Sequence, residues 1–207
     1  MSRSAWLNLA LLVAFLVTAP YGYARYRKAN FRNFHVVEDG ILCRSGQLSK
    51  TGLERAVHDY GIRTVITLRE PKNPGEPQPD QDEEDFCLKE EIWYFRLPHR
   101  ASTGSKTPWL KTNGYAAVDP NVAKFLRIMD DAKYHPVLVH CTAGTHRTGA
   151  YVAIYRMEYE RWSNADAIAE LMARGYDDIV EQNDILGYLE TYEPRWKKAE
   201  QAAAAAR

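Results

Sequence analysis

A cysteine and an arginine separated by five residues are the side chains of this chain best suited to chemistry. They lie in the segment 140–149, which reads His-Cys-Thr-Ala-Gly-Thr-His-Arg-Thr-Gly. A thiolate is a strong nucleophile, and a guanidinium can hydrogen-bond two oxygens of a phosphoryl group at once. The pair therefore indicates phosphate-ester hydrolysis, in which Cys141 attacks phosphorus and Arg147 holds the phosphoryl oxygens.

The residues on either side predict the backbone that positions this pair. The segment 135–140 is typical of a short buried strand, and 148–159 is typical of a helix with an apolar face. In a strand-to-helix turn, successive N–H groups can point inward, and the helix adds the positive end of its dipole. We therefore predict an anion cup (142–147) that binds substrate through Thr142, Ala143, Gly144, Thr145, His146 and Arg147.

Two neighbours are predicted to tune the cysteine. A helix N-terminus and a nearby cation lower the pKa of a thiol from about 8.5 to about 3.5–7.5. Thr148 is placed to donate a hydrogen bond to the Cys141 sulfur, both as nucleophile and as leaving group. His140 is predicted to orient the loop through backbone carbonyls rather than to transfer protons.

The pattern His-Cys, five residues, Arg-Thr-Gly resembles the active-site loop of the cysteine-dependent protein tyrosine and dual-specificity phosphatase superfamily. The segments 40–47 and 61–69 are similar to the opening of compact bacterial and plant-type dual-specificity phosphatases, and the resemblance covers roughly 34–192. It implies a two-step reaction through a phosphocysteine on Cys141, without metal or cofactor, on phosphomonoesters.

Two other classes of protein use a similar loop. Enzymes of the rhodanese and arsenate-reductase type also place a Cys near an Arg in an oxyanion loop, but the preceding His140 and the Ala-Gly interior fit the phosphatases better. A phosphate-binding module with little turnover would use the same cup. The intact Cys141 and Arg147 argue against that reading.

The general acid is harder to assign from sequence. Phosphatases of this superfamily commonly use an aspartate about thirty residues before the nucleophile, yet 105–117 contains no carboxylate. Asp119 is the nearest candidate, and its position resembles that of an aspartate in the compact plant and fungal enzymes. Followed by Pro120 and an amphipathic helix, Asp119 equally fits a helix N-cap. His99 is the second candidate.

The side chains of the cup bear on the substrate. Thr142, Thr145 and His146 add at most one titratable charge beside Arg147, which disfavours highly phosphorylated substrates. However, the exit 144–149 resembles the Gly-Lys-His-Arg-Thr-Gly of the plant and fungal group linked to inositol pyrophosphates. The predicted substrates are therefore phosphotyrosine, phosphoserine or phosphothreonine in a protein, or a phosphorylated inositol or lipid. His146 either binds an additional phosphate or faces solvent.

The first residues predict a membrane-directed helix. The segment 5–19 is apolar apart from Asn8 and Thr18, and Pro20 and a tyrosine- and base-rich stretch follow it. We predict that 1–28 is a retained single membrane anchor, and a cleaved signal that delivers a periplasmic or secreted protein is the alternative. Basic residues on both sides of the segment leave the side of the membrane undetermined.

Composition bounds the remainder. Residues 29–207 have the length of one catalytic domain. Lys plus Arg and Asp plus Glu both number 27, so no basic field indicates a nucleic-acid partner. Three cysteines exclude a disulfide framework, and none has zinc-ligand spacing, so no metal is predicted. A reversible disulfide between Cys141 and either Cys43 or Cys87 remains open. The acidic segment 70–84 is predicted to be a solvated connection rather than a flap over the site.

The order of elements predicts an α/β fold with a central, mostly parallel sheet of about 4–5 strands and helices on both faces. In such sheets, ligands bind at the carboxyl ends of the strands, where the cup would lie. The predicted strands are 35–38, 41–43, 64–68, 92–97 and 137–140, and the predicted helices are 49–60, 83–90, 122–133, 148–161, 164–174 and 182–198.

Overall fold

One five-stranded sheet organises the protein. The computed structural model describes residues 3–71, 75–97, 119–175 and 183–205. Their strands lie in the order β1-β2-β5-β3-β4, and β1 is antiparallel to β2 whereas the other three pairings are parallel. The predicted α/β fold with a mostly parallel sheet is therefore confirmed. The strands are β1 (His35–Glu38), β2 (Leu42–Ser45), β3 (Thr64–Thr67), β4 (Trp93–Arg96) and β5 (Val137–His140).

Eight α-helices accompany this sheet in the described part of the chain. Local signals explain where several begin and end. Ser49 caps α2 by accepting a hydrogen bond from the N–H of Gly52 (3.0 Å), and Gly61 ends that helix in the left-handed conformation. The helices are α1 (Arg3–Asn30), α2 (Lys50–Tyr60), α3 (Gln81–Lys89), α4 (Asp119–Met129), α5 (His146–Tyr159), α6 (Asn164–Ala173), α7 (Asn183–Thr191) and α8 (Arg195–Ala205).

One predicted helix is two in the structure. The predicted helix 182–198 divides into α7 and α8, with Pro194 between them. Proline disfavours helical backbone in the residue before it and lacks an N–H to continue a helix, whereas it is well tolerated where a helix begins. The apolar periodicity continued across the break, so periodicity alone predicted one helix.

The central strand β5 divides the core into two clusters of apolar side chains. Val137 and Val139 lie in one cluster with α4, α5, α6 and α7, whereas Leu138 lies in the other with α2 and α3. Successive side chains of a strand point to opposite faces of the sheet, so both faces of β5 are covered. The carboxyl end of β5 is therefore held rigidly from both sides, and the candidate site lies there.

The segment predicted to reach the membrane is helical. α1 runs from Arg3 to Asn30, and its last turns pack against α2, where Arg55 donates a hydrogen bond to the hydroxyl of Tyr26 (3.2 Å). Between residues 3 and 205, in the parts that the structure describes, no helix is both long enough and apolar enough to cross a membrane. The membrane anchor predicted for 1–28 stays a prediction.

The contact between α5 and α6 gives the first testable prediction. A Cβ at Gly149 would lie 2.1 Å from Cδ1 of Leu171, a buried residue of α6. Gly149→Ala should therefore overpack this contact and lower the free energy of unfolding by about 1–3 kcal/mol, measured by urea denaturation.

Gly22→Ala is the matched control, because nothing lies within 4 Å of a Cβ at Gly22, also in a helix. The helix propensity of alanine should leave this variant at least as stable as the parent. In a double-mutant cycle, Gly149→Ala should lower the free energy of unfolding by less when Leu171 is also changed to alanine. An equal loss in both backgrounds would rule out Leu171 as the cause.

Candidate active site

Cys141 lies in the turn that joins β5 to α5. His140 ends the central strand and His146 begins the helix, so the anion cup occupies the predicted strand-to-helix junction. Cys141 is buried, with 3% of its surface exposed. The N–H of Gly144 donates to its sulfur at 3.2 Å. The positive end of the α5 dipole faces the same turn. The predicted environment of the cysteine is therefore assembled.

The outward-facing carbonyls of the cup are bound by residues from outside it. The amide of Asn33 donates to the carbonyl of Ala143 (2.8 Å), and the guanidinium of Arg44 donates to that of Gly144 (2.7 Å). The N–H of Gln47 donates to the carbonyl of Thr142 (3.1 Å). A peptide whose carbonyl is held outward presents its N–H inward, so these bonds orient the amides of the cup.

Gly144 is the residue of the cup that must be glycine. Its φ is +81°, and a Cβ there would lie 2.3 Å from the backbone N of Gly46. Both the left-handed backbone and the close approach of the chain after β2 require the absence of a side chain. The segment 45–47 thus forms the wall behind the cup.

The pKa of the Cys141 thiol is lowered, although its burial opposes ionisation. The charge of Arg147, hydrogen bonds from the hydroxyl and N–H of Thr148, and the N–H of Gly144 outweigh that burial. The Thr148 hydroxyl also lies 3.4 Å from the carbonyl oxygen of Ser45. The structure therefore brings Cys141, Arg147 and Thr148 together in an arrangement that favours the thiolate.

Arg147 is held at the cup by the neighbouring strand. Its Nη1 donates a hydrogen bond to the carbonyl oxygen of Leu68, the residue that follows β3. A guanidinium carries five N–H donors, so this bond leaves donors to bind an anion. The position of Arg147 therefore depends on β3 lying beside β5 as well as on the cup itself.

Beneath the cysteine lies a buried group of ionisable side chains, the basal cluster (Asp80, Glu83 and His140). Nε2 of His140 lies 2.6 Å from Oε1 of Glu83, and their side chains are 2% and 5% exposed. The two atoms form an ion pair, but the angle at Nε2 of His140 does not suit a hydrogen bond. Burial alone would lower the pKa of His140, but the charge of Glu83 raises it overall. The pairing with Glu83 therefore favours the protonated form of His140, the residue next to the cysteine.

Asp80 is the second carboxylate of the basal cluster. It accepts hydrogen bonds from the Thr67 hydroxyl and the Arg96 guanidinium, both at 2.5 Å. Burial would raise the pKa of Asp80, but these two bonds and the charge of Arg96 lower it. Asp80 is thus ionised and neutralised.

The prediction that 70–84 is a solvated connection is wrong for these two residues. Asp80 and Glu83 are buried where α3 begins, whereas most of the described residues around them are exposed. Acidic residues after a proline-rich stretch are usually solvated. Only their pairing with His140 and Arg96, both distant in sequence, explains the burial, and no local pattern encodes such a pairing.

The basal cluster has the residue types of a metal site. Its ligand-type atoms lie within 4.8 Å of one another. However, Arg96 and a charged His140 already neutralise the two carboxylates. A cation would gain little attraction there, so the donor set fits an ion-pair network better than a metal centre.

The remaining predicted site residues are only partly placed. Asp119 begins α4, and the role of its side chain as general acid stays a prediction. His99 lies outside the described residues. His146 and Thr145 are half-buried at the start of α5, and Thr142 is exposed at the rim of the cup.

The other two cysteines are buried and free. Burial raises the pKa of Cys43 to about 11 and that of Cys87 to about 12. Both belong to the apolar cluster on the opposite face of the sheet from Cys141. Cys43 pairs with Leu138, so Cys141 lies about 10 Å further along the strand, beyond the roughly 7 Å that a disulfide spans. Cys43 is therefore not positioned to form a disulfide with Cys141, and Cys87 lies in the cluster on the other face of the sheet.

Comparison with known proteins assigns the chain to a family. A family model described as "DSP-PTPase phosphatase fused to NAD+ Kinase" matches residues 26–185. The chain is 32% identical over 81 residues to the dual specificity protein phosphatase TpbA of Pseudomonas aeruginosa, which covers 39% of this chain and 37% of that protein. It is 29% identical over 140 residues to the inositol diphosphatase DSP5 of Arabidopsis thaliana, which covers 67% of this chain and 59% of that protein.

Solved structures share the fold. The core catalytic domain of the PP-IP phosphatase SIW14 from S. cerevisiae has a TM-score of 0.60 at 18% identity, over 85% of this chain and 94% of that one. TpbA of P. aeruginosa in complex with pTyr has a TM-score of 0.59 at 20% identity, over 84% and 91%. The matches to the two curated relatives above span about a third to three-fifths of their lengths.

The ion pair of the basal cluster gives the second testable prediction. Because the pKa of His140 is raised above its unfolded value, the pair stabilises the fold fully below about pH 6.5. This stabilisation is lost as the pH rises through the folded pKa. Glu83→Gln should therefore lower the free energy of unfolding by about 3–5 kcal/mol near pH 6, and by less in alkaline solution. An NMR titration should give His140 a lower pKa in this variant than in the parent.

Glu84→Gln is the matched control, because Glu84 forms a more exposed ion pair with Arg96 (3.0 Å) on the same helix. It should cost no more than about 1 kcal/mol and leave the pKa of His140 unchanged. A loss in Glu83→Gln that is the same at pH 6 and in alkaline solution would contradict the assignment of the ion pair.

Proposed function

This chain belongs to the DSP-PTPase family of cysteine-based phosphatases, and from that membership we propose that it hydrolyses phosphomonoesters through a phosphocysteine on Cys141. The observation that carries the proposal is the lowered pKa of a buried thiol that faces inward-pointing amides and Arg147. A thiol kept as thiolate in an anion cup is suited to attack on phosphorus.

The reaction proceeds in two displacements. In the first, the Cys141 thiolate forms a bond to phosphorus while the ester P–O bond breaks, and the leaving oxygen takes up a proton. In the second, water attacks phosphorus, the S–P bond breaks, and the electron pair returns to sulfur, which releases inorganic phosphate. The Thr148 hydroxyl stabilises the sulfur each time it carries charge. Arg147 and the amides of the cup stabilise the equatorial oxygens of both transition states.

We assign the proton donor to Asp119. It stands at the start of α4 in the sequence position expected from the plant and fungal relatives. A general acid assists most when the leaving group is a poor one. Loss of Asp119 should therefore reduce turnover more for alkyl phosphates than for activated aryl phosphates. His99 is the alternative proton donor.

The substrate class is a phosphorylated protein side chain or a phosphorylated inositol. One relative carries the name dual specificity protein phosphatase, and another the name inositol diphosphatase. The rim supports both, because Thr142 and Thr145 add no charge while His146 can contribute one. Phosphopeptides and inositol phosphates assayed side by side separate the two.

The central test compares two buried cysteines. Cys141→Ser should reduce turnover of an aryl phosphate by about a thousandfold or more, because the alcohol lacks a thiolate. Arg147→Lys should reduce it by about 10²–10³, because a point charge replaces a planar fork. Phosphate release by the full chain is the measurement.

Cys43→Ser is the matched control for this test. It makes the same change at a buried thiol with a raised pKa, and it should retain turnover once circular dichroism confirms its fold. Turnover that survives in Cys141→Ser, or that requires an added divalent metal, would overturn the mechanism.

We further propose that the amino-terminal part of α1 associates with a lipid bilayer. Six of its apolar side chains are between 52% and 65% exposed: Leu11, Leu12, Val13, Phe15, Leu16 and Val17. Apolar surface of this extent is costly in water. Exposed Tyr21 and Tyr23 follow, and then the basic residues Arg25, Arg27 and Lys28, as at the edge of a bilayer. We propose that the segment 1–28 is retained as an anchor, with the side of the membrane undetermined. Its removal as a cleaved signal is the alternative.

Vesicle binding tests this proposal. The full chain should co-sediment with phosphatidylcholine vesicles, whereas a chain with Leu12, Phe15 and Leu16 changed to serine should stay in the supernatant. Intact mass after expression in the native host distinguishes a retained segment from a cleaved one. An uncleaved full chain that stays in the supernatant would contradict membrane association.

A further inference from the structure

A second polar cavity lies on the outer side of the anion cup. It has a volume of about 250 Å³, and we call it the Arg44 pocket. Among the described residues that line it are two arginines and a histidine and no carboxylate: Asn33, His35, Arg44, Gly144, Ala173 and Arg174. Because Gly144 belongs to both cavities, the pocket and the cup share one residue of the chain.

Arg44 is a buried charge without a carboxylate partner in the part of the chain that the structure describes. It is 2% exposed on β2, beside the central strand, where it pairs with Val139. Its guanidinium donates to the carbonyl of Gly144 at 2.7 Å, while its Nε is buried and has no hydrogen-bond partner among the described residues. A buried charge with unsatisfied donors is costly unless an anion neutralises it.

The surrounding charges make this deficit larger. Burial and then the charge of Arg174 lower the pKa of Arg44 to about 10. Glu170 offsets part of this effect, but that carboxylate already bridges Arg156 (3.1 Å) and Arg174 (3.3 Å). His35 is affected in the same way, since burial and then the charges of Arg174 and Arg44 lower its pKa. The described residues that line the pocket therefore carry an excess of positive charge.

We propose that the Arg44 pocket binds a phosphate group at a second site, separate from the phosphoryl group over Cys141. The guanidinium of Arg44 supplies the buried fork, Arg174 supplies charge at the mouth, and His35 supplies a ring N–H donor. A bound anion holds Arg44 against the carbonyl of Gly144, and the N–H of the same residue contacts the sulfur of Cys141. Occupancy of the pocket thus steadies the residue whose N–H stabilises the thiolate.

The phosphate has two possible sources with the same chemistry. It is either free inorganic phosphate or a second phosphoryl group of a polyphosphorylated substrate. The second source rests on the proposed function, whereas binding of inorganic phosphate does not. The test is therefore designed so that binding is measured in a protein that has no working cup.

The binding experiment uses the full chain with Arg147→Ala, titrated with inorganic phosphate by calorimetry. One phosphate should still bind, and the further change Arg174→Glu should weaken this binding by about tenfold or more. Arg174 is partly exposed, so its replacement leaves the buried Arg44 in place. Arg161→Glu is the matched control, since Arg161 is an exposed arginine outside the pocket, and it should change binding by less than about twofold.

Loss of all phosphate binding in Arg147→Ala would overturn the second site. So would equal effects of Arg174→Glu and Arg161→Glu, because general charge would then explain the binding. If the parent shows no turnover but neither of these binding results is found, the proposed function is refuted and the second site stands.

Steady-state kinetics separates the two sources. If the second phosphoryl group of the substrate occupies the pocket, Arg174→Glu should raise KM for an inositol polyphosphate about tenfold and leave KM for an aryl phosphate unchanged. If free phosphate occupies it, low phosphate concentrations should change kcat for the aryl phosphate in the parent and not in Arg174→Glu. Kinetics that are identical in both proteins would contradict any coupling between the pocket and the cup.

Discussion

The rest of the structure depends on the interactions that favour a thiolate at the buried sulfur of Cys141. Burial opposes its charge, so the compensating donors must stand in place before any substrate arrives. Gly144 presents its N–H to the sulfur because the carbonyl of the same peptide, that of Ala143, is held from outside by Asn33, while Arg44 holds the next carbonyl. The strand-to-helix turn is therefore maintained by the segments that surround β1 and β2.

Paired ionisable groups lie beside the cysteine. His140 precedes Cys141 in the chain and lies against Glu83, and the neighbouring carboxylate of Asp80 is paired with Arg96. Pairing with a group of opposite charge is the condition under which buried ions are tolerated. The first turn of α3 thereby contributes buried carboxylates to the candidate site.

Local pattern predicted the elements that carry the chemistry. The apolar run before His140 and the apolar face after Thr148 defined β5 and α5, and Gly144 stands in the turn between them, where it adopts a positive φ. Pattern failed where a short signal competed with a longer one, as at Pro194 between α7 and α8. It also failed where burial depends on a distant partner, as for Glu83.

The sequence by itself determined the nucleophile, the arginine and the turn between them, because all three lie within ten residues whose order dictates their geometry. The partners of that turn were decided only by the tertiary structure. Which strands flank β5, which carboxylate faces His140 and which cation lies behind Gly144 depend on contacts between residues far apart in the chain. Such contacts follow from sheet order and from the neutralisation of buried charge, and neither has a periodicity that can be read along the chain.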